Sequence, residues 1–351
     1  MTTTLAMQNA VGNKLDSGVN IPRRKRGRPS ADAGAAYESQ MTTFCDFIKT
    51  TAAKLDFRPS ARGWAYLLEN ERLIDKCELD SAQDRINDAR KSGALPLDIC
   101  SEDAKRAWHN TEKLDNEDPA DEATRIKQTV KAWISEYQPR SFWTGKTYYI
   151  QLIVEKIDLR ELFLPVCERW HIPIANGGGW SDLNLRGELM TRFRDNLEAG
   201  QIPVVLYAGD FDPVGLQISD TLHANIEQLS VAVRWNAADL IIDRFGLNHK
   251  FIKEHNLTWI DNLQTSGKGA INDLANPKHK HHHFPHVQDY LAKYGARKVE
   301  ANALVTRAQA GRELCEAAIL KYMVEPDLPE RFEQELEPER EALRKLWRKA
   351  A

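Results

Sequence analysis

Ile202-Pro203-Val204-Val205-Leu206-Tyr207-Ala208-Gly209-Asp210-Phe211-Asp212-Pro213-Val214-Gly215 is an apolar run that stops abruptly at two carboxylates and a turn. Residues 202–207 are continuously apolar rather than alternating, which is the pattern of a strand covered on both faces. Pro213 and Gly215 then force a sharp turn into a helix. Asp210 and Asp212 are thereby placed on one side of the strand's C-terminal end, with Phe211 pointing back into the core. Working outward, Tyr148–Val154 is a second buried-strand run, and Glu155 ends it directly. Helical spacing over 159–170 and 182–197, a short extended piece at 172–174 and a further strand at 231–235 complete an alternation of strands and helices. That alternation predicts βαβ units and a parallel sheet.

Ligands of an open α/β sheet bind at the carboxyl ends of its strands. Glu155, Asp210 and Asp212 all fall there, and three converging carboxylates repel one another unless a cation neutralises them. Oxygen-only ligands suit a hard dication, so the sequence predicts a Mg²⁺ site at these three residues. A metal held there would stabilise charge on a phosphodiester oxygen during in-line displacement. A solvated turn or a helix N-cap is the plainer use of an Asp-x-Asp.

The first third has a different rhythm. Residues 1–35 are polar, poor in aromatics and aperiodic, and read as a disordered tail. Within them Arg23-Arg24-Lys25-Arg26-Gly27-Arg28-Pro29 resembles an AT-hook, in which Arg26, Gly27 and Arg28 would lie along a narrow A·T minor groove. From 36 to 108 the apolar spacing is helical: 37–55, a second helix starting at the N-cap Ser60, and a third over 81–91. Gly93–Leu97 reads as a turn and a short extended piece. Three helices and a short strand are the order of a helix-turn-helix or winged-helix module. An acidic, Pro-containing linker at 113–121 and an amphipathic helix at 122–137 lead into the sheet domain.

The bulk properties bound these readings. The 351 residues carry a formal net charge of −3, so an indiscriminate basic coat for nucleic acid is excluded, although local patches are not. Cys45, Cys77, Cys100, Cys167 and Cys315 are widely spaced and read as reduced buried thiols, not as a zinc site. No apolar run reaches the length of a membrane span, and the N-terminus lacks the order of a signal peptide. The expectation is a cytoplasmic, nucleoid-associated protein.

Together these residues resemble one known family, the A subunit of type VI topoisomerase with its meiotic and phage relatives. Toprim domains carry a glutamate after the first strand and an Asp-x-Asp after a later one, as Glu155 and Asp210-Phe211-Asp212 do here. The family's extended Asp-x-Asp-Pro-x-Gly matches residues 210–215. Gly177-Gly178-Gly179-Trp180-Ser181-Asp182-Leu183-Asn184-Leu185-Arg186 is similar to its Gly-Lys-Gly-aromatic-Pro-Asp-x-x-x-Arg stretch, with Gly178 in place of the lysine and Ser181 in place of the proline. Lys298-Val299-Glu300-Ala301-Asn302-Ala303-Leu304 resembles the closing Glu-x-x-Ala-Leu segment. In the helical half, Arg62-Gly63-Trp64-Ala65-Tyr66 has the family's Arg-x-x-x-Tyr spacing, with Ala65 where an aromatic is usual, and Asp84–Gly93 resembles its Ala-Arg-x-x-Gly turn.

The resemblance implies a winged-helix-like domain (36–138), a Toprim domain (139–310) and a C-terminal helical extension (311–351). It implies Mg²⁺-dependent cleavage of double-stranded DNA by a homodimer, in which Tyr66, helped by Arg62, attacks the phosphodiester. The metal at Glu155, Asp210 and Asp212 would belong to the other protomer. Arg90 and Arg186 would contact DNA, and a separate ATPase subunit would drive strand passage. Two alternatives stand beside this: a metal-dependent Toprim nuclease using water, and a non-catalytic DNA-binding regulator. The remaining conspicuous stretch, Lys278–His286, reads as a mobile basic loop, and residues 328–348 as a charged helix.

Overall fold

The computed structural model describes residues 21–23, 31–71, 73–74, 78–101, 118–177, 183–265 and 270–350. The AT-hook-like residues Arg26, Gly27 and Arg28, residues 113–117 of the acidic linker, Cys77 and residues 178–182 lie outside them, whereas Asp118–Asp121, also read as linker, cap and begin a helix.

Three helices open the chain: α1 (Ala31–Ala52), α2 (Ala61–Asn70) and α3 (Leu79–Ser92). In α1 the residues Tyr37, Met41, Phe44, Cys45 and Ile48 make one buried stripe at helical spacing, which holds it on the helical core. It starts at Ala31, inside the stretch read as disordered, and Ile21 packs on the same core while Arg23 pairs with Glu78 at 2.6 Å. Ser60 caps α2 as expected, its hydroxyl accepting from the Gly63 N–H at 3.0 Å. After Gly93 the expected strand is absent: Leu97–Ile99 form a 3₁₀ turn, and no strand occurs among the described residues of this half. The Arg90 guanidinium explains the tighter coil, since it donates twice to the Leu97 carbonyl, at 3.0 and 2.6 Å.

Helix α4 (Pro119–Ser135) leads to β1 (Tyr148–Val154), α5 (Ile157–Arg169), β2 (Ile174–Asn176), α6 (Leu183–Asn196) and β3 (Ile202–Ala208). Short helices α7 (Pro213–Leu216), α8 (Ile218–Glu227) and α9 (Ser230–Val233) precede β4 (Ile241–Gly246) and α10 (His249–Glu254). The four strands form one parallel sheet in the order β2-β1-β3-β4, flanked by helices, a Rossmann-like α/β arrangement. Strands β1 and β3 are adjacent and central, and six of seven residues in each are buried. That is why both read as unbroken apolar runs.

The strand expected at 231–235 is instead α9 and its C-cap, with Val231 91% exposed. The fourth strand lies ten residues later, where Asp243 and Arg244 interrupt the apolar pattern. Helices α11 (Pro285–Tyr294), α12 (Ala308–Leu320) and α13 (Leu328–Ala350) complete the chain, with a 3₁₀ turn at Ala301–Arg307. Gly311, Cys315 and Ile319 bury α12 against α5 and β4, so this part of the expected C-terminal extension belongs to the sheet's helical layer.

A buried carboxylate is among the groups that join the two halves. Asp158, in the first turn of α5, accepts from the Ser60 N–H at 2.6 Å and from its hydroxyl at 2.9 Å, and Asn302 Nδ2 lies at 3.3 Å. Burial pushes the Asp158 carboxyl above the usual carboxylate range, against the pull of the two Ser60 donors. Gly63 is what lets α2 come so close, since a Cβ there would meet the Asp158 carboxylate at 3.0 Å. Replacing a helical glycine by alanine ordinarily stabilises by about 0.5–1 kcal/mol. Gly63→Ala is expected to do the reverse, destabilising by about 1–2 kcal/mol through overpacking. Urea unfolding decides this, and a raised midpoint would contradict the close approach.

Candidate functional site at the carboxyl edge of the sheet

The Glu155 and Asp210–Asp212 loops leave neighbouring strands at the same edge, because β1 and β3 pair in register from Tyr148↔Ile202 to Val154↔Ala208. Glu155 accepts from the Asp210 N–H at 3.0 Å through Oε2. Asp210 accepts from the Ala301 N–H at 2.7 Å through Oδ1. Asp212 caps α7, its Oδ1 accepting from the Gly215 N–H at 2.6 Å. Gly215 is required here: a Cβ would stand 2.2 Å from the Asp210 carbonyl oxygen. Phe211 turns inward as the sequence implies, buried among Trp259, Tyr290 and Tyr294. The three acids are thus brought to one edge, each with backbone donors of its own.

Two cations that the sequence reading did not use hold this edge together. Lys156 Nζ lies 3.2 Å from Glu155 Oε1 and 3.2 Å from Asp210 Oδ2, bridging the two strand ends. Burial works against its charge, but Asp210 and Glu155 outweigh that and hold the ammonium above the ordinary lysine range. Arg244, on β4, donates to the carbonyls of Gly215 (2.8 Å), Leu247 (2.7 Å), Asp210 (2.7 Å) and Gly209 (3.3 Å), tying the loop from beneath. Burial lifts the Asp212 carboxyl above its usual range, opposed by the Gly215 N–H and reinforced by Asp210.

These contacts correct the expected metal. Among the described residues no group of three or more His, Cys, Asp or Glu side chains is arranged to hold a metal ion, so the Mg²⁺ site expected at Glu155, Asp210 and Asp212 is not supported. The physical reason is that the repulsion that argued for a dication is met internally, by the Lys156 ammonium. The water-using nuclease reading drew on that metal and loses its support. The same finding covers the histidines of 279–286.

Tyr66 comes to the same edge within one chain. Its hydroxyl donates to Glu300 Oε2, one residue before the Ala301 N–H that holds Asp210. Burial raises the Glu300 carboxyl, and Arg62 lowers it. The Arg62 guanidinium lies 5.5 Å from the Tyr66 ring centroid and also pairs with Asp80 at 3.3 Å. Tyr66 is 5% exposed, and the cavity beside it, lined by Glu69, Thr258, Ile260, Ala303 and Thr306, is only about 20 Å³, room for about one water. Of the two arginines expected on DNA, Arg90 holds the Leu97 carbonyl, and buried Arg186 donates to the Asn225 carbonyl at 2.9 Å. Lys156 was visible only as the neighbour of Glu155, and Arg244 only as a charge breaking an apolar run.

Comparison with protein-family models and with curated proteins finds no match to this chain.

Lysine with a raised folded pKa contributes stability that is fully present below its unfolded pKa, about 10.4, and lost as pH rises through the folded value. Lys156→Met is therefore expected to destabilise the protein by about 2 kcal/mol near neutral pH. The gap to the native protein should close as pH climbs past about 10.5. Urea midpoints of both proteins across that range test this; a gap independent of pH would remove Lys156 from the account.

Proposed function

We propose that this chain binds duplex DNA as a type VI topoisomerase A-like protein, with a winged-helix-like half on a Toprim-like sheet, and that it does not cleave the DNA it binds. The observation that carries the non-cleaving part is the Lys156 ammonium between Glu155 and Asp210. It sits between two of the three acids, in the place a metal would need. The burial of Tyr66 against Glu300 supports the same reading, since a nucleophile needs a path to phosphorus. DNA binding is supported by the ordered run of motifs and by their convergence: residues 62–66, 155, 210–215 and 300–301 meet at one edge through hydrogen bonds of Tyr66, Glu300, Ala301 and Asp210.

A second reading rests on the Tyr66–Glu300 contact. A tyrosine with an ordinary pKa near 10 needs a proton acceptor to attack at neutral pH, and a buried carboxylate on its hydroxyl is one. In a metal-free transesterification the Tyr66 oxygen would bond to phosphorus as the bond from phosphorus to the sugar oxygen breaks; the tyrosine proton would pass to Glu300, and the departing sugar oxygen would take a proton from solvent water. A homodimer and a separate ATPase belong to this reading.

Incubation with supercoiled plasmid in excess chelator separates the two. Retarded plasmid with no nicked, linear or covalently attached product is the expected outcome. Covalent adducts that disappear in Tyr66→Phe would overturn the non-cleaving reading in favour of the second. Failure to bind plasmid at all would end both. Deleting residues 1–30 is expected to weaken binding and flatten its salt dependence, because that arm's cations would neutralise phosphates; an unchanged slope would remove the arm.

A further inference from the structure

The turn at 278–286 is built rather than mobile, and its exposed groups have one chemistry. The His281 N–H donates to His279 Nδ1 at 3.1 Å, and His279 is itself buried. His282 Nδ1 meets the Leu274 carbonyl at 2.8 Å, Gln288 Nε2 donates to the His282 carbonyl at 2.6 Å, and the Phe284 N–H to the His281 carbonyl at 3.1 Å. This frame presents Phe284, 44% exposed, stacked on the His281 ring with centroids 4.8 Å apart and planes 23° apart. Lys278 and Lys280 are exposed beside it.

Helix α11 continues from this turn and carries the pattern to its far end. There Lys293 lies over the Tyr294 ring at 5.3 Å, and the Arg297 guanidinium over the Trp259 ring at 4.2 Å. Ten residues of helix separate the two stations, about 15 Å. Between residues 274 and 297 four cations, Lys278, Lys280, Lys293 and Arg297, face a single carboxylate, Asp289. The helix is fixed to the carboxyl edge, because the Tyr290 hydroxyl donates to the Phe211 carbonyl at 2.9 Å, inside the Asp-Phe-Asp loop.

We propose that α11 and the turn before it form a binding surface for single-stranded DNA, with an unpaired base stacking on the exposed part of the Phe284 ring, between His281 and a His286 ring 5.7 Å away, and the lysines holding the flanking phosphates. This rests on the reading of the chain as a DNA-binding protein and adds the form of DNA that this surface takes. A rigid, flat ring in a cationic surround suits a base whose π-face is open, which an intact duplex does not offer. Cations alone would bind either form; the ring is what discriminates.

The test is fluorescence anisotropy with labelled oligo-dT and with a duplex of equal length. Phe284→Ala is expected to weaken oligo-dT binding about tenfold and to leave duplex binding within about twofold. Phe284→Leu, which keeps apolar bulk without the ring, should behave like the alanine variant. Lys278→Gln with Lys280→Gln should weaken oligo-dT binding and reduce its salt slope by roughly 1.4, about 0.7 for each phosphate contact on a single strand. Unfolding midpoints equal to the native protein's show that the turn is intact. Duplex binding with oligo-dT affinity indifferent to Phe284 would overturn this inference and leave the DNA-binding reading standing. Binding to neither DNA would overturn both, and binding of an acidic polypeptide such as polyglutamate in place of oligo-dT would reassign the surface to a protein partner.

Discussion

Carboxylates carried to the same edge of a sheet by neighbouring strands repel each other, and the fold must supply positive charge or give the arrangement up. Here the charge comes from the next residue along the chain. Lys156 follows Glu155, and its ammonium reaches both Glu155 and Asp210 across the gap between β1 and β3. Arg244 completes the arrangement from β4, spending its donors on four loop carbonyls rather than on the acids themselves. An interior ion pair of this kind is poor evidence of stability gained over an apolar core, but removing one partner strands the other. The edge therefore depends on the lysine more than the lysine's own contacts suggest. A loop in which an ammonium already bridges two of the acids has less use for a metal.

Much of the sheet is legible in the sequence, for a physical reason. The central strands β1 and β3 are covered on both faces, so burial writes itself into the sequence as an unbroken apolar run, and both were located to within a residue. Strand β4 lies at the sheet's margin, where Asp243 pairs with Lys321 and Tyr322 and Arg244 serves the loop below. Its apolar signal is broken by the residues that do its work. The more uniformly apolar Ser230–Val233 nearby forms a short helix with Val231 in solvent. The same limit governs the site. Charge and spacing located the three acids correctly, and Phe211 with them. Which partner neutralises those acids is a matter of side-chain reach, which spacing does not encode. Arg90 and Arg186 show the converse, since an arginine in a recognisable motif is as useful to a carbonyl as to a phosphate.

Tyr66 illustrates how little a motif says about accessibility. The Arg-x-x-x-Tyr spacing puts Arg62 and Tyr66 one helical turn apart, and the arginine does lie over the ring. What the spacing could not give is the contact 234 residues away, where Glu300 takes the hydroxyl and the 3₁₀ turn closes over the ring. Burial of that pair, rather than the identity of either residue, governs whether the tyrosine can meet a substrate.

The short junction between β1 and α5 carries more than its share of this organisation. Within four residues, Glu155 anchors the Asp210 loop, Lys156 balances the acids, and Asp158 grips the start of α2 through Ser60. These three side chains leave one turn for two different parts of the molecule, the Asp210 loop and the start of α2. The junction works as a common axle: α2 cannot be drawn away from the sheet without turning the same backbone that positions the acids. The hold on α2 and the hold on the Asp210 loop therefore share one short stretch of backbone.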